Sequence, residues 1–451
     1  MKLQASDLQD PFAIVKREYG VSIPVMTQKD ALEKAAQLRK NLSKVRKIPL
    51  SDTAALLDKC ARLWLNYNFR EKPVKVLSEI TNQSVELTNL ELESTMKMLL
   101  RENIEATVTS ELGSPSILDE WIPSEHGETK RESRGIVFHN ISGNAFVVIP
   151  VSIAMGLLSK NCNLVKVSKD EPFFAYAFFK SLCQIDDSVK DRLTVGYFDS
   201  SNSGIYETII KESNCVVHWG GIESEKAISS LCTKYHVKLI SHGPKISFEV
   251  IDDIPDSEDQ VAEKVAVDMT AWEQKACFSP RILFVNKRLN PERFAESLAT
   301  SLQQLTKKFP KKYSTAWNSI KTIQDRQLCI EKYGLTSGIK SYTSFNADYT
   351  ILLLNGMPER EDINHCFYRF IFICPYDDFQ EVEDWVGTNI RPYLQTMGYA
   401  GNNENFINDM AEAGVTTITQ PGEMALRKPG ISHDGFSNLT ELTYAVSRQS
   451  E

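Results

Sequence analysis

Cys277 stands in the stretch Ala271-Trp272-Glu273-Gln274-Lys275-Ala276-Cys277-Phe278-Ser279-Pro280-Arg281, between a polar run and a Phe-Ser-Pro turn. The residues that follow, Ile282-Leu283-Phe284-Val285, read as a buried strand. A thiol at the mouth of a strand is open to substrate while its backbone stays fixed. That placement suits a nucleophile, which reacts as the thiolate. A cysteine is also a small apolar core residue, so this segment alone does not make it catalytic. Three other placements point to carbonyl or phosphate chemistry. Asn144, in Ser142-Gly143-Asn144-Ala145, lies between a predicted strand and a predicted helix, where a side-chain amide can donate to an oxyanion. The commoner use of such an Asn is to bond its own backbone. Lys166 and Ser168 close another strand, a place from which to bond ribose hydroxyls or a phosphate. Trp219-Gly220-Gly221 ends a strand and opens a helix, whose first amides can meet an anion, although glycine also serves turn geometry there. The Gly-x-Gly-x-x-Gly and Gly-x-x-x-x-Gly-Lys-Ser/Thr fingerprints are both absent. His433, Asp434 and His242 are further titratable candidates. Adjacent residues on a strand face opposite ways, so His433 and Asp434 read as a turn before the last strand rather than as a dyad.

The elements that must carry these residues change character along the chain. The first hundred residues read as helices, with Thr27-x-x-Asp30 as a capping box, a second helix over 53–67 and a third opening at Thr88-x-x-Glu91. Residues 111–134 are broken by Gly113, Pro115, Pro123 and Gly127 and read as an extended arm or hairpin. From 135 apolar strands alternate with helices: strands over 135–139, 163–167, 193–198, 215–219 and 237–240, helices over 147–160, 173–183 and 224–232. A second alternating set has strands over 246–251, 349–354 and 369–373 and helices over 257–270 and 291–307. Alternation of this kind specifies an α/β fold with parallel sheets covered on both faces, and such sheets bind ligands at the carboxyl ends of their strands. The expected organisation is a helical part over 1–110, a bridging arm over 111–134 joined by 436–451, a nucleotide-binding domain over 135–245 and a catalytic domain over 246–435.

Composition excludes several classes. The 51 basic residues against 59 acidic ones leave a net charge of -8, which does not draw nucleic acid or anionic membrane. The basic run Lys307-Lys308-Phe309-Pro310-Lys311-Lys312 reads as a solvated face. Nine cysteines at irregular spacing, with no Cys-x-x-Cys pair, suggest neither a zinc site nor a disulfide framework and fit reduced thiols in a cytoplasm. No signal-peptide core follows Met1, and the longest apolar run, 145–158, is too short to cross a bilayer.

The order of these features (strand-turn-Asn-helix, strand-Lys-x-Ser, strand-Gly-Gly-helix, strand-Gly-x-Lys, then a cysteine) resembles the aldehyde dehydrogenase superfamily. Within it the chain is most similar to the LuxC family of long-chain fatty acyl-CoA reductases. The stretches that carry the resemblance are Leu118-Asp119-Glu120-Trp121-Ile122-Pro123, Gly143-Asn144, Val165-Lys166-Val167-Ser168, Trp219-Gly220-Gly221, Gln274-Lys275-Ala276-Cys277-Phe278-Ser279 and Ser432-His433-Asp434-Gly435. By this resemblance Cys277 is the nucleophile that takes an acyl group from a thioester as a thioacyl enzyme, and hydride from a nicotinamide releases the aldehyde. Asn144 becomes the side-chain oxyanion donor, Lys166 and Ser168 the adenosine-ribose segment, and Gly220 and Gly221 the turn under the pyrophosphate. The resemblance also implies a homo-oligomer (dimer or tetramer) paired through the arm, and an acyl-protein synthetase partner.

Departures from the superfamily pattern sharpen the expectation. Where oxidising aldehyde dehydrogenases carry Glu-Leu-Gly-Gly-Lys, this chain has Ser241-His242-Gly243-Pro244-Lys245. Without that carboxylate, hydrolysis of a thioacyl enzyme lacks its base, which favours acyl-CoA reduction over aldehyde oxidation. The Glu-x-Phe-Gly-Pro segment is not recognisable near 365–370. Lys166 and Lys169, with no evident acid for a free 2′-hydroxyl, lean the cofactor toward NADPH, with NADH as the alternative. A thiol acyltransferase and a non-catalytic acyl-binding subunit on the same fold are the competing functions.

Overall fold

The computed structural model describes residues 10–449 other than 144–145, 255–256, 313–315, 337 and 427. Asn144 therefore lies outside the described residues. The chain divides into two compact units, one made of residues 1–81, 88–243 and 428–451, the other of 82–87 and 244–427.

The first unit opens with helices. Thr27 and Asp30 form the expected reciprocal capping box on helix Gln28–Val45. The helix expected over 53–67 is Leu50–Leu65, and a further, unexpected helix, Tyr67–Thr81, follows it. The break falls at Asn66, whose extended backbone (ψ 119) ends the first helix and whose side chain accepts the Asn68 amide at 3.0 Å, the local competition that keeps Asn out of helix interiors. Thr88 does not open a helix. Helix Val85–Lys97 begins three residues before it, and Ser84 is the residue that accepts an early amide, that of Leu87, at 3.1 Å.

Strands β1 (Ile122–Ser124) and β2 (Gly127–Ser133) form the antiparallel hairpin of the arm, and β2 pairs along its length with Thr443–Gln449. Next come β3 (Ile136–Asn140), β4 (Cys162–Lys166), β5 (Leu193–Gly196), β6 (Cys215–Trp219) and β7 (Lys238–His242), a wholly parallel sheet in the order β5-β4-β3-β6-β7. β3, β4 and β6 are buried at every position, as expected of strands covered on both faces. One face packs Phe138, Leu164 and Val216 against Leu38, Ile205, Ile209 and Ile228 from the flanking helices. The strand order reverses at β3, so the carboxyl ends of β3, β4 and β6 flank the switch point where such sheets hold ligands.

The second unit holds a seven-stranded sheet built from β8 (Ile246–Ile251), β9 (Pro280–Asn286), β10 (Ile339–Thr343), β11 (Thr350–Leu354), β12 (Phe370–Tyr376), β13 (Leu394–Ala400) and β14 (Thr417–Thr419). The order is β10-β11-β12-β9-β8-β13-β14, with only the edge strand β10 antiparallel. Helix Glu258–Thr270 starts from a capping box of Ser257 and Gln260, and helix Pro291–Lys308 packs with it over one face through Val265, Met269, Leu298 and Leu302. Sequence periodicity does not show β13: Gln395, Thr396 and Gly398 interrupt its apolar run, yet all seven residues are buried. No helix among the described residues is long and apolar enough to cross a membrane.

Candidate functional site

In the second unit Cys277 lies on the short loop between helix Glu258–Thr270 and β9 and is half-buried. Its carbonyl accepts the Ser247 hydroxyl from β8 at 2.8 Å, and the same hydroxyl accepts the Thr396 amide of β13 at 3.1 Å. Two neighbouring strands thus fix the backbone under the thiol. Its Sγ accepts the Gln395 side-chain amide at 3.2 Å, a donor suited to a sulfur anion. Arg281, four residues on, stacks its guanidinium on the Phe367 ring at 4.2 Å and acts electrostatically on Cys277 and on the deeply buried Cys366. The other cysteines whose thiols burial pushes up include Cys162 and Cys215, both to about 12. These are inert core thiols.

The approach to Cys277 is strained. Trp272, Glu273 and Gln274 are three consecutive non-glycine residues in the left-handed region, at φ 57, 48 and 57. Each costs roughly 1–3 kcal/mol and persists only when its surroundings hold it. They do. The Glu273 carboxylate pairs with Arg369 at 2.8 Å with both side chains no more than 1% exposed. Arg369 also donates to Thr306 Oγ1 at 2.9 Å and to the Phe309 carbonyl at 2.8 Å. The Gln274 side chain donates to the carbonyls of Pro280 and Phe370 (2.9 and 3.0 Å) and accepts the Phe370 amide at 2.8 Å. Tyr368 and Arg369, where Glu-x-Phe-Gly-Pro was sought, are left-handed as well, at φ 58 and 65. Nearby Lys311 departs from the solvated face expected of the basic run: burial, with Arg326 beside it, pushes its amine down to about 7.

In the first unit the carboxyl ends of the strands carry a linked polar row. Asn140, the last residue of β3, donates to His218 Nδ1 at 2.9 Å and accepts the Tyr206 hydroxyl at 3.1 Å. His218 Nε2 meets the Ser224 hydroxyl at 3.2 Å, and burial holds this imidazole down to about 4. Lys166 is buried beside Phe198 and Tyr206, reaches Ser200 Oγ at 3.2 Å, and is pushed down by burial to about 8. Asp199 and Asp170 act on it in the opposite sense. Ser168 is half-buried and accepts the Asp170 amide at 3.2 Å. The two glycines differ. A Cβ on Gly220 would come within 2.6 Å of His218 Cε1, whereas a Cβ on Gly221 would meet nothing within 4 Å. Gly221 is the N-cap of the fourteen-residue helix Ile222–Tyr235, which has no side-chain cap, so its first amides are available to an anion.

His242 ends β7 with its Nδ1 at 2.7 Å from Asp434 Oδ2 and its ring stacked on Trp219 at 3.7 Å. His433 lies edge-on to both rings. The structure corrects the expectation that His433 and Asp434 point apart. Asp434 sits at φ 57 in a tight turn closed between His433 and Phe436, so the alternation of a strand does not apply.

Comparison with known proteins follows the same lines. The sequence profile described as acyl-CoA reductase (LuxC) matches residues 45–445. The chain belongs to this family. Family membership makes it an oxidoreductase. Its curated relatives include the long-chain acyl-protein thioester reductase of Aliivibrio fischeri, 25% identical over 398 residues that cover 85% of this chain and 78% of the relative. The long-chain acyl-protein thioester reductase 2 of Photobacterium leiognathi is 25% identical over 439 residues, covering 95% and 87%. Among solved structures, aldehyde dehydrogenase 21 of Physcomitrella patens superposes with a TM-score of 0.75 at 15% identity, covering 94% of this chain and 91% of that one. Glyceraldehyde-3-phosphate dehydrogenase of Methanocaldococcus jannaschii, complexed with NADP, gives 0.70 at 15% identity, covering 94% and 95%. The family fold is that of the aldehyde dehydrogenases: α/β, with parallel sheets and helices.

Sequence reasoning missed several residues around these sites. Gln395 and Ser247 lie 118 and 30 residues from Cys277; their only signal is a polar residue inside a fully buried strand. Glu273 and Arg369 lie 96 residues apart, so nothing local pairs them. Asn140, His218 and Asp199 were legible only as strand ends.

Proposed function

We propose that the chain reduces a long-chain fatty acyl thioester to the aldehyde with NADPH, through a thioacyl intermediate on Cys277. The observation that carries the reading is the Gln395 amide on the Cys277 sulfur, within a backbone held by Ser247 and by the Glu273–Arg369 pair. In this reading the Cys277 thiolate attacks the thioester carbonyl, a new carbon–sulfur bond forms, the carbon–sulfur bond to the donor breaks, and the donor leaves as its thiolate. Asn144 and the Cys277 amide take the charge on the carbonyl oxygen, as the resemblance implies. A bound nicotinamide supplies the hydride that converts the thioacyl carbon to an aldehyde, with Cys277 released as thiolate. In the sequence Ser241 stands where the superfamily carries the base that hydrolyses the intermediate, and its hydroxyl donates to Glu225 at 2.7 Å.

Residues of the first unit suit a dinucleotide. The uncapped helix start at Gly221, with open space over the glycine, suits a pyrophosphate, and Lys166 with Ser168 suits the adenosine ribose. Asp199 acts on Lys166 and is an acid of the kind that a free 2′-hydroxyl meets, so NADH is the alternative cofactor and Asp199→Ala should raise the NADPH-to-NADH ratio of kcat/KM. The relatives' names specify an acyl-protein donor and the family description an acyl-CoA; we propose that either thioester enters, with acyl-protein delivered by a synthetase partner. Strand Thr443–Gln449 leaves one edge of the arm sheet open with Tyr444 exposed, which supports pairing of the arm with a second copy. The decisive assay is NADPH oxidation with acyl-CoA and acyl-protein panels, comparing the native chain with Cys277→Ala. Equal turnover by the two proteins would overturn the mechanism.

A further inference from the structure

Three donors of the kind that bind metals converge where residues 428–436 return to the ends of β6 and β7. His242 ends β7, and Asp434 follows 192 residues later. Asp434 Oδ2 lies 2.7 Å from His242 Nδ1 and 3.6 Å from His433 Nε2. One donor atom from each of His242, His433 and Asp434 lies within 4.8 Å of the other two. The side chains are enclosed, at 1%, 14% and 3% exposure. Trp219 stacks on His242 at 3.7 Å, and the Phe436 ring lies tilted at 5.1 Å from the same imidazole.

The backbone makes the convergence. Asp434 at φ 57 and Gly435 at φ 85 turn the chain sharply, which lets consecutive residues face the same partner. Two imidazoles with one carboxylate are a donor set for a borderline divalent cation, with a fourth position left for water.

We propose that His242, His433 and Asp434 bind one divalent transition-metal cation of the zinc type. The cation ties the return over 428–436 to the ends of β6 and β7. Its role is structural and independent of the Cys277 chemistry.

The full-length protein, stripped with a chelator, is titrated with Zn2+ against a chromophoric competitor and separately with Co2+. The expected result is one tight Zn2+ per chain, a higher Tm with Zn2+, and visible cobalt d–d absorption without a thiolate-to-cobalt charge-transfer band. His433→Ala and Asp434→Asn should each lower affinity by more than the roughly 10- to 100-fold that loss of an outer-shell partner costs, and should abolish the Tm rise. Unchanged binding in both variants, or no stoichiometric Zn2+ in the native chain, would overturn the site and leave His242 and Asp434 as a hydrogen-bonded pair. Should a variant fail to fold, the cobalt spectrum of the native chain decides: a thiolate band places the metal on cysteine, and absent d–d bands mean no site.

Discussion

The carboxyl edge of the five-stranded sheet and the segment around Cys277 are both polar, but they are built in opposite ways. At the sheet edge Asn140, His218 and Ser224 are joined in a row, and Lys166 reaches Ser200, through single hydrogen bonds of 2.9–3.2 Å, and open space lies over Gly221. Around Cys277 three left-handed residues are clamped by a fully buried ion pair and by a glutamine that makes three backbone hydrogen bonds. The difference fits two tasks. A cradle for a detachable dinucleotide needs room and unspent donors, whereas a nucleophile needs a fixed backbone, and strain can persist there because deep burial over-determines it.

The largest effect is expected at Cys277. Cys277→Ala should lower thioester reduction by roughly 1,000-fold or more, since groups acting as one unit lose most of their effect with the first removed; steady-state kinetics with a circular-dichroism control checks it. Next is Arg369→Met, which leaves Glu273 buried and unpaired and should cost about 3–5 kcal/mol in denaturant unfolding. Gly220→Ala and Gly221→Ala separate packing from cofactor contact. Gly220→Ala collides with His218 and should cost about 1–3 kcal/mol of stability. Gly221→Ala should change stability by less than about 0.5 kcal/mol, while weakening NADPH in a fluorescence titration.

A fourth prediction concerns pH. Lys166, at about 8 in the folded chain against an ordinary 10.5, loses its charge earlier when folded than when unfolded. Between those values the unfolded state holds the extra proton, so this residue's contribution to stability rises with pH. Its pull on an anionic cofactor moves the other way: NADPH affinity should fall as pH rises through about 8, and Lys166→Met should flatten that profile. The smallest effect is expected at Glu249, buried on β8 against Asp268. Burial pushes both carboxyls up, Asp268 to about 7. The pair's stability contribution is present below the ordinary carboxylate range and lost as pH rises through about 7, so Glu249→Gln should reduce the fall in Tm between pH 6 and 8, read by calorimetry on the order of a few degrees.

Much of the α/β architecture was legible because the strands of parallel sheets are apolar runs and their helices are capped within four residues, as at Thr27 and Ser257. β13 was not legible, since its Gln395, Thr396 and Gly398 serve the interior rather than a solvent face. The helix start at Ser84 was hidden because Thr88-x-x-Glu91 imitates a cap one turn too late. Around the site, Cys277, Lys166 and the two glycines stood out through local spacing. Gln395 and Arg369 did not, because their partners lie 118 and 96 residues away. Asp434 was a candidate, but its pairing with His242, 192 residues away, was not legible. That pairing was further masked by a left-handed turn that alternation rules cannot foresee.

The central claim is that Cys277 carries the acyl group, and intact-protein mass measurement tests it most directly. Incubated with a long-chain acyl-CoA and no NADPH, the chain should gain the mass of one acyl group, mapped to Cys277 by peptide sequencing and removed on adding NADPH. Labelling of another residue, or continued aldehyde formation with no labelled Cys277, would contradict it.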